Sequence, residues 1–277
     1  MKHDPRITPW RDGVAARSLE GMIEAEVYLD PKAMSCGVAA AAIRSAPDAD
    51  AEQVDQLLFG ERFAVIEEEG AWLWGQAARD GYVGFVEAAA LKAADALPTH
   101  RVSALRTYAF AEASIKSRAG GPYSLGSLVA VEATESKLAR VAGAGWMTAA
   151  HLSPVGEFED DWAAVALRFV GAPYLWGGRE SLGLDCSGLV QQALFACGRA
   201  CPRDTDQQQA LGAPVDAADF GRGDLVFWKG HVAMGVGDGL IVHANGHHMA
   251  TVVEPLSEAI ARIDAAGSGQ PTAYRRV

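Results

Sequence analysis

The sequence predicts a multidomain protein in which small all-β barrels precede a C-terminal α+β domain. Between residues 28 and 150, short apolar runs recur with glycine turns between them, which is typical of small barrels. Over 189–197, apolar residues recur at helical spacing. Further on, the apolar runs 231–236 and 240–245 flank a Gly-Asp-Gly turn and predict a β-hairpin. A helix layer packed on an antiparallel sheet is an α+β arrangement.

Composition and charge exclude several function classes. The chain has 277 residues, which allows two or three domains, and its 49% apolar content suffices for globular cores. The formal net charge of −11 argues against nucleic acid and anionic membranes as partners, because both require basic patches. No apolar run reaches a membrane span, and the first residues lack the apolar core of a secretion signal. We therefore expect a cytoplasmic protein.

Changes in composition along the chain predict the domain boundaries. The parts are an N-terminal segment 1–27, a first β domain 28–92, a second β domain 93–150, a linker 151–157 and a C-terminal domain 158–277. Pro154 and Gly156 mark the linker. Within the N-terminal segment we expect a helix over 11–25. A single larger β domain over 28–150 is the alternative to two barrels.

The stretch 182–190 places a cysteine where a loop becomes a helix. Asp185 is a favourable N-cap residue, so Cys186 falls in the first helical turn. There the unpaired backbone N–H groups and the helix dipole favour the thiolate, which is the nucleophilic form. The alternative is an inert cysteine that anchors the helix in the core. Cys186 is therefore a candidate nucleophile.

Two histidines in the predicted hairpin are candidates for a base and its orienting group. A nucleophilic cysteine needs a base, and the base needs a third group to hold it. His231 and His243 lie on successive strands, and side chains alternate faces along a strand. Both histidines share a face if the loop is the three residues 237–239, which pairs Ala233 with His243, or if a bulge has the same effect. A two-residue loop without a bulge would place them on opposite faces.

Three motifs in this order resemble the NlpC/P60 family of bacterial cell-wall peptidases. They are Asp185-Cys186-Ser187-Gly188, Gly230-His231-Val232 and Val242-His243-Ala244. The resemblance implies a papain-like C-terminal domain with Cys186 as nucleophile, His231 as base and His243 as orienting group. The stretch 81–86, Gly-Tyr-Val-Gly-Phe-Val, resembles the bacterial SH3-like domains often attached to these peptidases. This implies that the first β domain is an SH3-like barrel. Because 127–132 parallels 62–67 and 144–147 parallels 81–85, we expect the second β domain to be a more diverged barrel of the same kind.

The combination of SH3-like domains with Asp-Cys-Ser-Gly resembles the dipeptidyl-peptidase VI group. The resemblance implies cleavage of the γ-D-Glu–diamino acid bond in peptidoglycan stem peptides, L-Ala-γ-D-Glu-diamino acid, with a free N-terminal L-Ala. It also implies a role in cell-wall peptide recycling, and we expect no cofactor and no metal. The expected substrate-binding residues are Asp185, Ser187, Glu61, Tyr82, Trp176, Asp204 and Thr205. The Cys186 backbone N–H and the Tyr174 hydroxyl are the expected oxyanion donors.

The first barrel is expected to close the non-prime end of the cleft, with Glu61 and Tyr82 facing Asp185. A primary ammonium favours carboxylate partners, and Asp185 can bind it while also capping the helix. Three other functions stay open: a general NlpC/P60 wall endopeptidase, a cysteine acyltransferase or amidase on the same fold, and a non-catalytic wall-peptide-binding protein. The intact Cys186, His231 and His243 speak against the last.

Overall fold

A computed structural model describes residues 3–94 and 96–277 of the chain. The chain separates into two compact units, Met1–Val155 and Gly156–Val277, which we describe one at a time. Every helix within the described residues is too short or too polar to cross a bilayer. The finer boundaries inside the first unit stay a prediction.

The first unit is built from short β-strands. In chain order they are β1 (Trp10–Arg11), β2 (Val14–Ala16), β3 (Val27–Leu29), β4 (Lys32–Cys36), β5 (Ala40–Arg44), β6 (Gln53–Leu58), β7 (Arg62–Glu69), β8 (Trp72–Ala77), β9 (Val83–Glu87), β10 (Leu91–Ala93), β11 (His100–Val102), β12 (Arg106–Phe110), β13 (Ala119–Ser124), β14 (Leu128–Val129), β15 (Val131–Glu135), β16 (Leu138–Val141), β17 (Gly145–Thr148) and β18 (Leu152–Pro154). Short 3-10 turns lie between some of them.

The helix expected over 11–25 is wrong, because this segment contains strands. Arg11 pairs with Val14 across a two-residue turn, so β1 and β2 form a tight hairpin. Asp12 and Gly13 both have positive φ, 45° and 80°, and Asp-Gly is a preferred pair for such a turn. The sequence contains this turn signal at residues 12–13.

Two sheets with separate apolar cores make up most of the first unit. Seven strands pair in the order β10-β4-β7-β8-β9-β5-β6 around a core that includes Ile43, Phe63 and Val86. Five strands pair in the order β13-β12-β17-β16-β15, with a core that includes Val102 and Met147. Phe59 follows β6 of the first sheet but packs in the core of the second. The two sheets are therefore held together by buried apolar contact.

The second unit combines four helices, within the described residues, with one main sheet. Its elements are α1 (Trp162–Leu167), β19 (Arg179–Glu180), β20 (Gly183–Leu184), α2 (Cys186–Ala196), α3 (Thr205–Gln208), β21 (Ala213–Pro214), β22 (Leu225–Trp228), β23 (His231–Gly237), β24 (Leu240–Asn245), β25 (Ala250–Pro255), α4 (Leu256–Ala265) and β26 (Ala273–Arg276). The sheet order is β21-β26-β22-β23-β24-β25. Every residue of α2 is buried. Ala259 of α4 packs against Val226, Ala233 and Ile241 of the sheet.

The hairpin between β23 and β24 aligns its histidines through a bulge. Gly237 pairs with Leu240, so the loop is the two residues Asp238 and Gly239, and of the two expected ways to align the histidines the structure has the bulge. Gly235 nevertheless pairs with Ile241, because the register shifts between Gly235 and Gly237. The bulge restores the pairing that a three-residue loop would have produced. His231 and His243 therefore share a face of the sheet.

Two glycines let the start of α2 lie against the loop before it. A Cβ added to Gly188 would lie 2.2 Å from the carbonyl oxygen of Gly178. The same oxygen accepts a hydrogen bond from the Asp185 backbone N–H at 3.3 Å. This close approach fixes the distance between the loop backbone and the first turn of α2.

We expect Gly188→Ala to lower the free energy of unfolding by about 1–3 kcal/mol or more, because the new methyl group overpacks against backbone that cannot move aside. Gly246→Ala is the matched control, since a Cβ at Gly246 meets nothing within 4 Å. Urea unfolding of the two variants and the wild type measures the difference. Equal destabilisation by the two substitutions would contradict the close-packing argument.

Candidate active site

Cys186 is the first residue of α2, as the sequence predicts. Asp185 caps the helix, and its Oδ1 accepts from the Gly188 backbone N–H at 2.8 Å. The other oxygen, Oδ2, accepts from the backbone N–H of Gly177 at 2.9 Å. One carboxylate thus joins the helix start to the loop before it, which holds Cys186 in a defined position.

Burial, and not the helix dipole, controls the acidity of the thiol. Cys186 is 5% exposed, and burial raises its pKa to about 12, with a further rise from the negative charge of Asp185. Backbone N–H groups of Val232 and Ser187 bond to the sulfur and lower the pKa by less. The expectation of a thiolate favoured by the helix start is therefore wrong for the resting site. Cys186 rests as a thiol and needs a base to remove its proton.

The two histidines are in direct contact. His231 Nε2 lies 2.8 Å from His243 Nδ1, and the ring centroids are 5.0 Å apart. Because Val232 donates to the sulfur of Cys186, the start of β23 lies beside the thiol. The structure thus brings Cys186 close to the strand that carries His231, and His231 into contact with His243.

Two residues that the sequence did not single out extend this pair. The Glu254 Oε1 atom lies 2.6 Å from His243 Nε2. The Arg262 guanidinium donates to the same oxygen. No spacing motif indicates Glu254. The available signal is that Glu254 lies in an apolar strand, which pairs with the strand of His243.

Tyr174 lies near the thiol, on the loop before α2. Burial raises the pKa of its hydroxyl above the usual value of a tyrosine, and the charges of Cys186 and Asp185 raise it further. The hydroxyl therefore stays protonated and is available as a donor. This placement supports an oxyanion role, which we take up as a proposal.

Asp185 and Ser187 are already engaged by a buried arginine. Arg203 is 1% exposed and donates to Asp185 Oδ1 at 3.0 Å, to Asp185 Oδ2 at 2.5 Å and to Ser187 Oγ at 2.7 Å. Ser187 Oγ in turn donates to Asp185 Oδ1 at 3.1 Å. With the two backbone donors, the Asp185 carboxylate accepts five hydrogen bonds, more than its roughly four lone-pair positions. The carboxylate is therefore satisfied before any ligand arrives.

The other expected substrate-binding residues lie in three different settings. Asp204 caps α3 in a capping box with Gln207, and Thr205 is the first residue of that helix. The Trp176 side chain is 57% exposed on the loop before α2. An exposed indole beside a nucleophile loop is available for contact with a ligand.

Glu61 and Tyr82 belong to the first unit, where both are buried. Glu61 is 1% exposed, and its two oxygens accept from Arg79 Nε at 2.8 Å and from the Leu58 backbone N–H at 2.9 Å. Tyr82 is 6% exposed and its backbone N–H donates to Asp80. Their predicted role in binding an amine stays a prediction.

Burial of the histidine pair should make this unit sensitive to acid. Burial lowers the pKa of both His231 and His243 to about 3, and the positive charge of Arg262 contributes to both shifts. Because the unfolded chain binds these protons near pH 6.5 and the folded chain does not, stability falls as the pH falls from 6.5 toward 3. The expected slope is up to about 1.4 kcal/mol per pH unit for each histidine.

Urea unfolding at a series of pH values tests this expectation. His243→Gln should remove part of the slope below pH 6.5, because one buried imidazole is lost. His247→Gln, which removes an exposed imidazole, serves as the control and should keep the slope. A wild-type protein whose stability is flat between pH 6.5 and 4 would contradict the assignment of two histidines that stay neutral in the folded protein.

Comparisons with known proteins agree with this geometry. Residues 171–264 match the NlpC/P60 family, and residues 43–91 match the bacterial dipeptidyl-peptidase Sh3 domain. The chain is 31% identical to the gamma-D-glutamyl-L-lysine dipeptidyl-peptidase of Bacillus subtilis over 68% of this chain and 71% of the relative. It is 29% identical to dipeptidyl-peptidase 6 of Lysinibacillus sphaericus over 72% and 82%.

A solved structure supports the predicted fold. An NlpC/P60 family protein from Bacillus cereus superposes with a TM-score of 0.76 at 20% identity, covering 88% of this chain and 99% of the other. At that identity the likeness shows the fold alone. With the two family matches it confirms the predicted fold class, an N-terminal SH3-like part followed by an α+β peptidase domain. The chain therefore belongs to the NlpC/P60 peptidase family, with a bacterial dipeptidyl-peptidase SH3 domain preceding its peptidase domain.

Proposed function

We propose that this protein is a cysteine peptidase that hydrolyses the γ-D-Glu–diamino acid bond of peptidoglycan-derived peptides with a free N-terminal L-Ala. The observation that carries the proposal is the hydrogen-bonded pair His231–His243 beside a cysteine at the first position of a buried helix. The γ-D-glutamyl bond to a diamino acid comes from the name of one relative, a gamma-D-glutamyl-L-lysine dipeptidyl-peptidase, and the free N-terminal L-Ala comes from the family resemblance. The proposal includes a role in recycling such peptides in the cytoplasm.

The arrangement performs hydrolysis in two steps. His231 Nδ1 takes the Cys186 thiol proton as the sulfur bonds to the amide carbonyl carbon, and the carbonyl oxygen becomes an oxyanion. The Cys186 backbone N–H and the Tyr174 hydroxyl donate to that oxyanion. His231 returns the proton to the amine as the C–N bond breaks. A water then gives a proton to His231 as its oxygen bonds to the acyl carbon. When the C–S bond breaks, His231 returns that proton to the sulfur, and the acid product loses its own proton to solvent.

The raised thiol pKa agrees with this order of events. Because the thiol and the imidazole are both neutral at rest, the proton moves from Cys186 to His231 while the sulfur attacks the carbonyl carbon. His231 therefore acts as a general base during the attack. His243 holds the His231 ring through Nε2, which leaves Nδ1 to receive the proton. An acyltransferase or amidase would use the same groups and differ only in the acceptor or the amide.

Recognition of the free amine requires a carboxylate other than Asp185. That side chain already accepts from Arg203, Ser187 and two backbone N–H groups, so we assign it to holding the nucleophile loop. Asp204, which follows Arg203 in the sequence, is one candidate for the carboxylate that binds the ammonium. Glu61 is a second candidate, on the resemblance alone. Trp176 and Thr205 complete the proposed substrate contacts.

A pair of peptides that differ at one position tests the proposal. The protein is incubated with L-Ala-γ-D-Glu-diaminopimelate and with its N-acetylated form, and products are followed by mass spectrometry. We expect the free peptide to yield L-Ala-D-Glu and diaminopimelate. We expect the capped peptide to be cut at least about tenfold more slowly, because acetylation leaves the ammonium's carboxylate partner unpaired.

The outcomes separate the alternative functions. Equal cleavage of both peptides would replace the proposal by a general wall endopeptidase. Transfer of L-Ala-D-Glu to an added amine in preference to water would indicate an acyltransferase. Absence of cleavage with retained binding of the peptide would indicate a non-catalytic binding protein.

A further inference from the structure

Glu254 occupies a position that connects it to the nucleophile's base. In β25 it pairs with Ile241, so its side chain lies on the same face of the sheet as those of Ile241 and His243. Its carboxylate is mostly buried, with a side-chain exposure of 13%, and Arg262 of α4 donates to it. The chain of contacts therefore runs from His231 to His243 and on to Glu254.

We propose that Glu254 is a positioning residue that fixes the tautomers of both histidines and supports the charge His231 acquires during the reaction. This inference rests on the proposed catalytic roles of Cys186 and His231. A carboxylate only accepts, so the 2.6 Å contact requires the proton of His243 to be on Nε2. His243 Nδ1 then has a lone pair and must accept from His231 Nε2–H at 2.8 Å. His231 Nδ1 is consequently unprotonated, which is the state a base for Cys186 needs.

A second donor near His243 shows what Glu254 prevents. The Asn245 side-chain nitrogen lies 3.1 Å from His243 Nε2, while its oxygen accepts from the His248 backbone N–H at 2.9 Å. Without the carboxylate, this amide would donate to Nε2 and move the His243 proton to Nδ1. His231 would then accept at Nε2 and carry its proton on Nδ1, toward the thiol. Glu254 selects the productive arrangement over this competing one.

The charge of Glu254 acts in the same direction. When His231 takes the thiol proton it becomes positive, and the carboxylate lies two hydrogen bonds away. The charged groups that face the pair are Glu254 and Arg262 beside His243 and Asp185 on the side of Cys186, and the titratable side chain of His248 lies on the following loop. Glu254 and Asp185 favour the protonated pair, whereas Arg262 opposes it. Removing Glu254 or Arg262 should therefore move the titration of the pair in opposite directions.

Three full-length variants test the proposal by their steady-state kinetics on L-Ala-γ-D-Glu-diaminopimelate. Glu254→Gln keeps an acceptor oxygen but loses the charge, and we expect kcat to fall about tenfold. Glu254→Leu leaves Asn245 as the hydrogen-bond partner of His243 Nε2. We expect kcat to fall about 10²–10⁴-fold, as in wrong-tautomer variants of catalytic triads. KM should change little in both. Glu258→Gln, an exposed glutamate on α4, is the control and should match the wild type.

The pH profile distinguishes positioning from a structural role. The acid limb of the kcat/KM profile should move to lower pH in Glu254→Gln and to higher pH in Arg262→Met. A loss of folding would lower the rate of both variants but would not move their acid limbs in opposite directions. Far-UV circular dichroism and urea midpoints check that the variants are folded. Equal kcat in Glu254→Leu and Glu258→Gln, or limbs that move in the same direction, would overturn the proposal.

A substrate-free measurement separates this failure from a failure of the proposed function. The rate of Cys186 alkylation by iodoacetamide, followed by mass spectrometry of its peptide, reports on the same base without any peptide substrate. We expect Glu254→Leu to slow it relative to Glu258→Gln. If the wild type does not cut the peptide but alkylation follows this order, the substrate is wrong and the role of Glu254 stands. If the peptide is cut and the alkylation rates are equal, the role of Glu254 is wrong.

Discussion

Cys186→Ala and His231→Ala should each abolish hydrolysis of L-Ala-γ-D-Glu-diaminopimelate, with kcat falling by about 10⁴ or more. The first removes the atom that bonds to the carbonyl carbon. The second leaves a thiol of pKa about 12 with no partner to take its proton. His243→Ala should lose activity less completely, because it removes the group that holds the base and not the base itself.

Product formation by mass spectrometry measures these losses, and Cys197→Ala provides the control at a partly exposed cysteine outside the site. Urea unfolding should show that Cys186→Ala keeps the fold, since the substitution shortens one side chain at the first turn of α2. Wild-type turnover by Cys186→Ala would remove the covalent mechanism.

Arg203→Met should be the most destabilising single change in the second unit outside its apolar core. The substitution leaves the Asp185 carboxylate buried without its cation, and breaking a buried pair in this way costs about 3–5 kcal/mol. Because Asp185 also bonds to Gly177 and Gly188, its disturbance should reach the loop and α2 together. We therefore expect activity to fall with stability.

The chain contains a matched comparison for this prediction. Asp161 caps α1 and pairs with Arg222 at 2.7 Å, as Asp185 caps α2 and pairs with Arg203. The Asp161–Arg222 pair is 48% and 43% exposed, so Arg222→Met should cost only about 0–1 kcal/mol. Urea midpoints of the two methionine variants test the role of burial. Similar losses for both would mean that the Asp185–Arg203 pair adds nothing through its burial.

Local patterns in the sequence predicted the parts of the site that lie within one short stretch. Asp185 as N-cap, Cys186 at the helix start and the shared face of His231 and His243 follow from capping preferences and strand alternation. Glu254 and Arg203 could not be found this way, because each acts across elements whose pairing a single sequence does not specify. The choice between a three-residue loop and a bulge stayed open, because a bulge at a valine leaves no residue-type signal.

The acidity of Cys186 shows a different limit of sequence reasoning. The helix start favours a thiolate, and that contribution can be inferred from Asp185 and the residues that follow. Burial opposes it, and burial is a property of everything packed around the sulfur. The thiol pKa therefore became accessible only once the neighbours of Cys186 were known.

The complete burial of α2 has a consequence for how this protein can vary. A helix with one solvent-facing side offers positions where most side chains are tolerated, but Cys186–Ala196 has none. Gln191 and Gln192 are among its least exposed residues, so even its polar positions sit inside the fold. In a library of random single substitutions selected for activity, this segment should stay nearly unchanged, whereas the outer side of α4 should diversify. The burial of the helix that bears the nucleophile thus also limits which amino-acid sequences this helix can have.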